Sequence, residues 1–145
     1  MCTAPASRSG RRRLRTIALA AGLCIAAASL AAAAAAERGF PFGSELIMDV
    51  KPMRGSKRVP MLVIGAQGET SIEAWCNTVK AQMVVAGDTL TILTGGATEQ
   101  QCAAERMRAD DELIEALTQV TNWRREGDVV TLRGSKTLRF RTLTN

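Results

Sequence analysis

The 145-residue chain has no histidine and no tyrosine, and aromatic residues make up only 3% of it. Without histidine there is no Ser-His or Cys-His couple and no imidazole to carry protons near neutral pH. The usual His-containing zinc sites are excluded as well. Acidic residues are missing from the first 36 positions, so the net charge of +5 has to be located before it is interpreted. At roughly 100–200 residues per domain, the length leaves room for one domain.

What is present starts with that N-terminal segment. Arg8, Arg11, Arg12, Arg13 and Arg15 form a basic head, and Ile17 to Ala36 is apolar except for Ser29. A positive head, an apolar run and the small-residue pair Ala34/Ala36 describe a signal peptide over residues 1–36, cut near Glu37. An uncleaved N-terminal anchor is the competing reading, because about 20 apolar residues can span a bilayer. Cys24 sits in mid-segment behind Leu23, which does not suit lipidation. Arg11-Arg12 or Arg12-Arg13 leaves twin-arginine export open beside the general route. The expected location is periplasmic or secreted, with no stable membrane span after processing.

Removing the head changes the charge argument. From Glu37 onward the chain keeps 14 of its 19 Lys and Arg and all 14 of its Asp and Glu, so the mature part is neutral. A broad electrostatic footprint for nucleic acid is absent, and no nucleic-acid partner is expected. Cys2 and Cys24 leave with the signal, and Cys76 and Cys102 remain. An even pair in an exported protein reads as one disulfide. Closing a loop of about 27 residues contributes roughly 3.5 kcal/mol in the chain-entropy view. A metal would need more ligands than two thiolates, and neither metal nor other cofactor is expected.

The mature chain reads as strands, one helical segment, then more strands. Residues 37–58 hold a short strand or helix near Glu45 and the basic loop Lys51 to Arg58; residues 59–145 hold the rest. Val59–Ile64, Thr70–Trp75, Val79–Val85 and Thr89–Leu93 are β-rich runs broken by glycine turns. Gly87-Asp88 and Gly127-Asp128 sit between alternating runs as hairpin turns. Thr98-Glu99-Gln100-Gln101 has the capping-box pattern, and Asp110-Asp111-Glu112 suggests a second helix start. Leu113, Ile114, Leu117 and Val120 then form an apolar stripe that would dock on the sheet. Trp123–Glu126, Val129–Arg133 and Thr137–Thr142 close the chain, the last alternating Leu138 and Phe140 with Arg139 and Arg141. The fold class expected is α+β, a mainly antiparallel sheet with a helix packed on it.

Cys76-Asn77, the hairpin Val85 to Ile92, Cys102, Leu113 to Val120, Trp123, Glu126 to Leu132, and Thr137 to Phe140 follow one another in a telling order. In that order they resemble the META domain family, which includes the HslJ-type proteins of bacterial envelopes. This chain has Val79-Lys80-Ala81 where members often carry Gly-x-Tyr, and Thr98 to Gln101 where they often carry Thr-Arg-Met-Ala. The resemblance implies a sheet-and-helix domain and export, with links to stress and antibiotic tolerance in some members. It brings no enzymatic residues to carry over.

Candidate sites are few. Asp110, Asp111 and Glu112 read as dipole-complementing surface charges and lack the loop spacing of a calcium site. Ser56-Lys57 lies in a polar turn beside Arg54 and Arg58, whereas Ser-Lys nucleophilic catalysis needs a desolvated lysine, so the pair reads as part of the loop. Trp75 and Trp123 read as packing residues. Lys51, Arg54, Lys57 and Arg58 put four positive charges into eight residues of a neutral domain, a candidate docking patch. The expected function is therefore a non-enzymatic, stress-related envelope protein binding a protein or an anionic envelope component. A hydrolase working through two carboxylates across a cleft is the alternative.

Overall fold

The computed structural model describes residues 39–56 and 58–143, so the signal-peptide reading and Lys57 lie outside the described residues. Eight strands follow one another: β1 (Glu45–Met48), β2 (Met61–Ile64), β3 (Glu69–Glu73), β4 (Thr78–Ala86), β5 (Thr89–Ala97), β6 (Asn122–Glu126), β7 (Val129–Arg133) and β8 (Thr137–Thr142). A helix, α1 (Ala104–Thr118), lies between β5 and β6. Each strand pairs antiparallel with the next, and β1 pairs with β8, so the expected antiparallel sheet closes into a barrel.

Alternation decides which residues fill it. Leu46, Leu62, Ile72, Leu90, Val130, Leu132 and Phe140 are fully buried, one or two from each of six strands. Their sequence neighbours face outward, Arg139 and Arg141 of β8 among them. The interior is packed with side chains and holds no channel, as small barrels generally are.

The two ends are closed differently. At the end with the Gly87-Asp88 and Gly127-Asp128 turns, the Trp123 indole N–H donates to the Gly87 carbonyl at 2.9 Å. Phe40 stacks edge-on against the same indole at 5.0 Å. The opposite end is covered by α1. Asp110, Leu113, Ala116 and Leu117 share its buried face at helical spacing, and Val120 continues the stripe into the core.

The helix does not begin where the capping pattern suggests. Its N-terminal flank is Ala103, which makes no side-chain cap. The Thr98 hydroxyl accepts the Thr78 N–H at 3.0 Å and donates to Asn77 at 2.9 Å, so it is committed to the sheet. Asp110 to Glu112 are likewise interior helical residues, and no second start exists there. Strand β5 also runs past Leu93, where the β-rich run of the sequence ends, through Gly95 and Gly96 to Ala97.

Three tight turns need glycine. Gly87 and Gly127 take φ of +63° and +61° in two-residue hairpins, as the turn signals predicted. Gly68 takes φ of +86°, and a Cβ there would run into the Met83 carbonyl. Both Gly68→Ala and Gly127→Ala therefore carry the left-handed penalty of about 1–2 kcal/mol. Only the first adds a steric conflict with backbone. Urea unfolding should show Gly68→Ala as the more destabilised of the two; equal losses would contradict the close approach.

Candidate functional site

The polar ties that hold α1 on the barrel converge on the β3–β4 turn. Asp110 is only 6% exposed, yet it is charged and lies in the middle of the helix. Its Oδ1 accepts the N–H of Trp75 at 2.7 Å and that of Cys76 at 3.1 Å. Its Oδ2 accepts the N–H of Asn77 at 2.7 Å and shares that of Cys76 at 3.2 Å. A buried carboxylate is costly unless satisfied, and three donated N–H groups satisfy this one. The reading of Asp110 as a surface charge is thus corrected; Asp111 and Glu112 alone are exposed.

The same turn carries two more ties. Cys76 and Cys102 form a disulfide with Cα atoms 6.1 Å apart, fastening the segment just ahead of α1. Asn77 Oδ1 accepts the Gln100 N–H at 2.7 Å together with the Thr98 hydroxyl. Segment 98–102 is held extended by these bonds, which is why the helix starts only after it. The Cys76-Asn77 pair therefore acts as the fastening point of the helix.

The cationic loop lies between β1 and β2 and emerges from the same end of the barrel. Lys51, Arg54 and Arg58 are exposed, and among the described residues none of the three makes an ion pair. The loop opens at Asp49, whose N–H donates to the Arg139 carbonyl at 2.8 Å. The loop is thereby continuous with the outer face of β8. Arg139 and Arg141 both approach the Asp49 carboxylate, at 3.9 and 3.5 Å. Arg124 and Arg133 stand on the same outer face, across β6 and β7.

Net neutrality conceals this arrangement. Residues 98–121 carry six carboxylates against two guanidinium groups, whereas residues 122–142 carry six cations against two carboxylates. The helix segment is acidic and the last three strands are basic. Segment-by-segment counting of the sequence would have revealed this; the whole-domain sum did not.

Two carboxylates from separate turns, Asp88 and Glu126, line a cavity of about 470 Å³ beside Trp123, together with Arg124 and Arg125, and Arg124 pairs with Glu126 at 2.9 Å. A cavity of about 450 Å³ beside Arg58, lined also by Ile47, Met61, Trp75 and Thr78, contains Glu73 as its sole carboxylate. A groove of about 530 Å³ between the end of β5 and α1 contains Asp110, Asp111 and Glu115. Asp110 is already saturated, and the other two stand four residues apart on a single helix. No cluster of three His, Cys, Asp or Glu side chains suited to a metal ion occurs among the described residues. Trp75 is half-buried and Trp123 is buried in the core. No described helix is long and apolar enough to cross a membrane.

The META domain pattern matches residues 44–145, which spans β1 to the C-terminus. No curated protein matches the chain. A protein from Burkholderia xenovorans solved by NMR is similar in fold, with a TM-score of 0.62 and 15% identity, and both chains are covered fully. A second NMR structure has a TM-score of 0.54 and 18% identity, over 68% of this chain and 88% of the other.

The fastening of α1 makes a thermodynamic prediction. Asp110→Ala leaves three N–H groups without their acceptor and should cost about 3 kcal/mol or more. The Cys76→Ser/Cys102→Ser variant should lose about 2–4 kcal/mol. Because both act on one turn, the combined variant should lose less than the two losses added together, by at least about 0.5 kcal/mol. A double-mutant cycle in urea reads this directly, and strict additivity would show that the two ties are independent.

Proposed function

Since the chain belongs to the META domain family, we propose that it is an exported, non-enzymatic binding protein of the cell envelope. It docks on an anionic envelope component through its cationic loop and the adjoining arginine face. The observation that carries this reading is the loop itself. Lys51, Arg54 and Arg58 are exposed and make no ion pair among the described residues, and the loop continues into the β8 arginines at Asp49.

Export is supported by the composition of residues 1–36 and by the disulfide, which persists in oxidising compartments. A non-enzymatic role is supported by the packed barrel interior and by the saturation of the one buried carboxylate. A small barrel whose inside is filled must use its surface to bind. A stress-related role rests on the family resemblance and would be tested by expression under heat or envelope damage.

Two measurements follow. Intact-mass analysis of the exported protein should give an N-terminus near Glu37, and a species starting at Met1 would refute processing. Binding to vesicles containing anionic lipid should fall with added salt, since exposed charges are screened over about 8–10 Å at ordinary ionic strength. Replacing Arg54, Lys57 and Arg58 by serine should weaken that binding while changing stability by less than ~0.5 kcal/mol. Equal binding with and without the three charges would remove the loop from the mechanism.

A further inference from the structure

The barrel has one incomplete seam. Strands β5 and β6 pair only at Thr89↔Asn122, because the chain leaves β5 at Ala97 and returns through α1. From Thr91 to Ala97, β5 therefore has β4 on one side and no strand on the other. The Leu90 N–H donates across the seam to the Thr121 carbonyl at 3.0 Å. Antiparallel ladders alternate, so Ile92 and Thr94 turn their N–H and C=O the same way; Ile92 is covered, at 3% exposure, and Thr94 is the one that stands open in the gap.

The gap is open. Thr94, Gly95, Gly96 and Ala97 are exposed, and the groove of about 530 Å³ runs between this stretch and α1. Free strand edges are templates for another strand, and proteins usually blunt them with lysine, proline or inward charge. Here residues 91–97 contain none of these, and Gly95-Gly96 leaves the backbone bare. Met107 and Ile114 give the helical wall apolar surface, and Asp111 and Glu115 give it negative charge. Both carboxylates are exposed, and neither makes an ion pair among the described residues.

We propose that the β5 edge accepts an extended basic peptide as an added strand. Its backbone pairs with Thr94, and its Lys or Arg side chains reach Asp111 and Glu115 on α1. This is β-strand addition, with main-chain bonds providing affinity and the side-chain wall providing selectivity. The partner is thus a basic extended segment of another protein, opposite in sign to the component proposed for the cationic face. The two surfaces are independent, so either can fail alone.

The test uses the oxidised protein and a capped peptide of alternating lysine and valine. Amide NMR should show saturable shifts over Thr94–Ala97 and slowed exchange at Thr94. A peptide N-methylated at alternate residues keeps its charge but loses donors, and should bind at least about fivefold more weakly, one hydrogen bond's worth. The Asp111→Asn/Glu115→Gln variant, altered only at exposed helix positions, should bind about threefold more weakly or worse at unchanged melting temperature. An alternating glutamate and valine peptide should not bind. No saturable shift at roughly millimolar peptide, equal binding of the N-methylated peptide, or shifts confined to β6–β8 would each overturn the proposal. Concentration-dependent pairing of two copies through β5 would overturn it too, by placing a second copy of this chain at the edge.

Discussion

The Asp110 carboxylate is the constraint on which the rest of the structure depends. It sits inside the protein, in the middle of a helix, where its charge is tolerable only because Trp75, Cys76 and Asn77 all donate to it. That requirement fixes the distance and the angle between α1 and the β3–β4 turn. Leu113 and Leu117 then fall over the open end of the barrel, and the apolar stripe of the helix completes the core. The disulfide and the Asn77 side chain pin the approach to the helix at the same turn. Polar bonds set the position of α1, and hydrophobic burial makes that position stable.

The placement of α1 also shapes both binding surfaces. The 24 residues between Ala97 and Asn122 leave the barrel wall, so β5 and β6 cannot pair along their full length. The helix that covers the barrel end thus creates the open seam beside it. Its segment also carries six carboxylates against two guanidinium groups, while β6 to β8 and their turns carry six cations against two carboxylates. A domain of zero net charge consequently presents one surface of each sign.

Much of the fold was legible locally. Alternation in Thr137–Thr142 announced a half-buried strand, because a period of two sends Leu138 and Phe140 inward and the arginines outward. Gly87 and Gly127 announced hairpins, because tight turns need positive φ. The errors occurred where a remote contact overrode a local preference. Thr98 looked like a helix cap but is held by Asn77, 21 residues away. Asp110 looked like a surface charge in an acidic run, and its partners lie 33 to 35 residues earlier in the chain.

The sequence by itself determined the succession of β-rich runs from Val59 onward, the hairpin turns, the apolar stripe of α1, the pairing of Cys76 with Cys102 and the separation of the basic head from a neutral domain. Each of these follows from periodicity, composition or the backbone freedom of one residue type. Tertiary structure alone decided that the sheet closes on itself, that Asp110 is buried, and that β5 keeps a bare edge beside an acidic helix. Those features arise from groups brought together across tens of residues. A carboxylate reads the same in sequence whether it meets water or three converging N–H groups, and only the folded chain distinguishes the two.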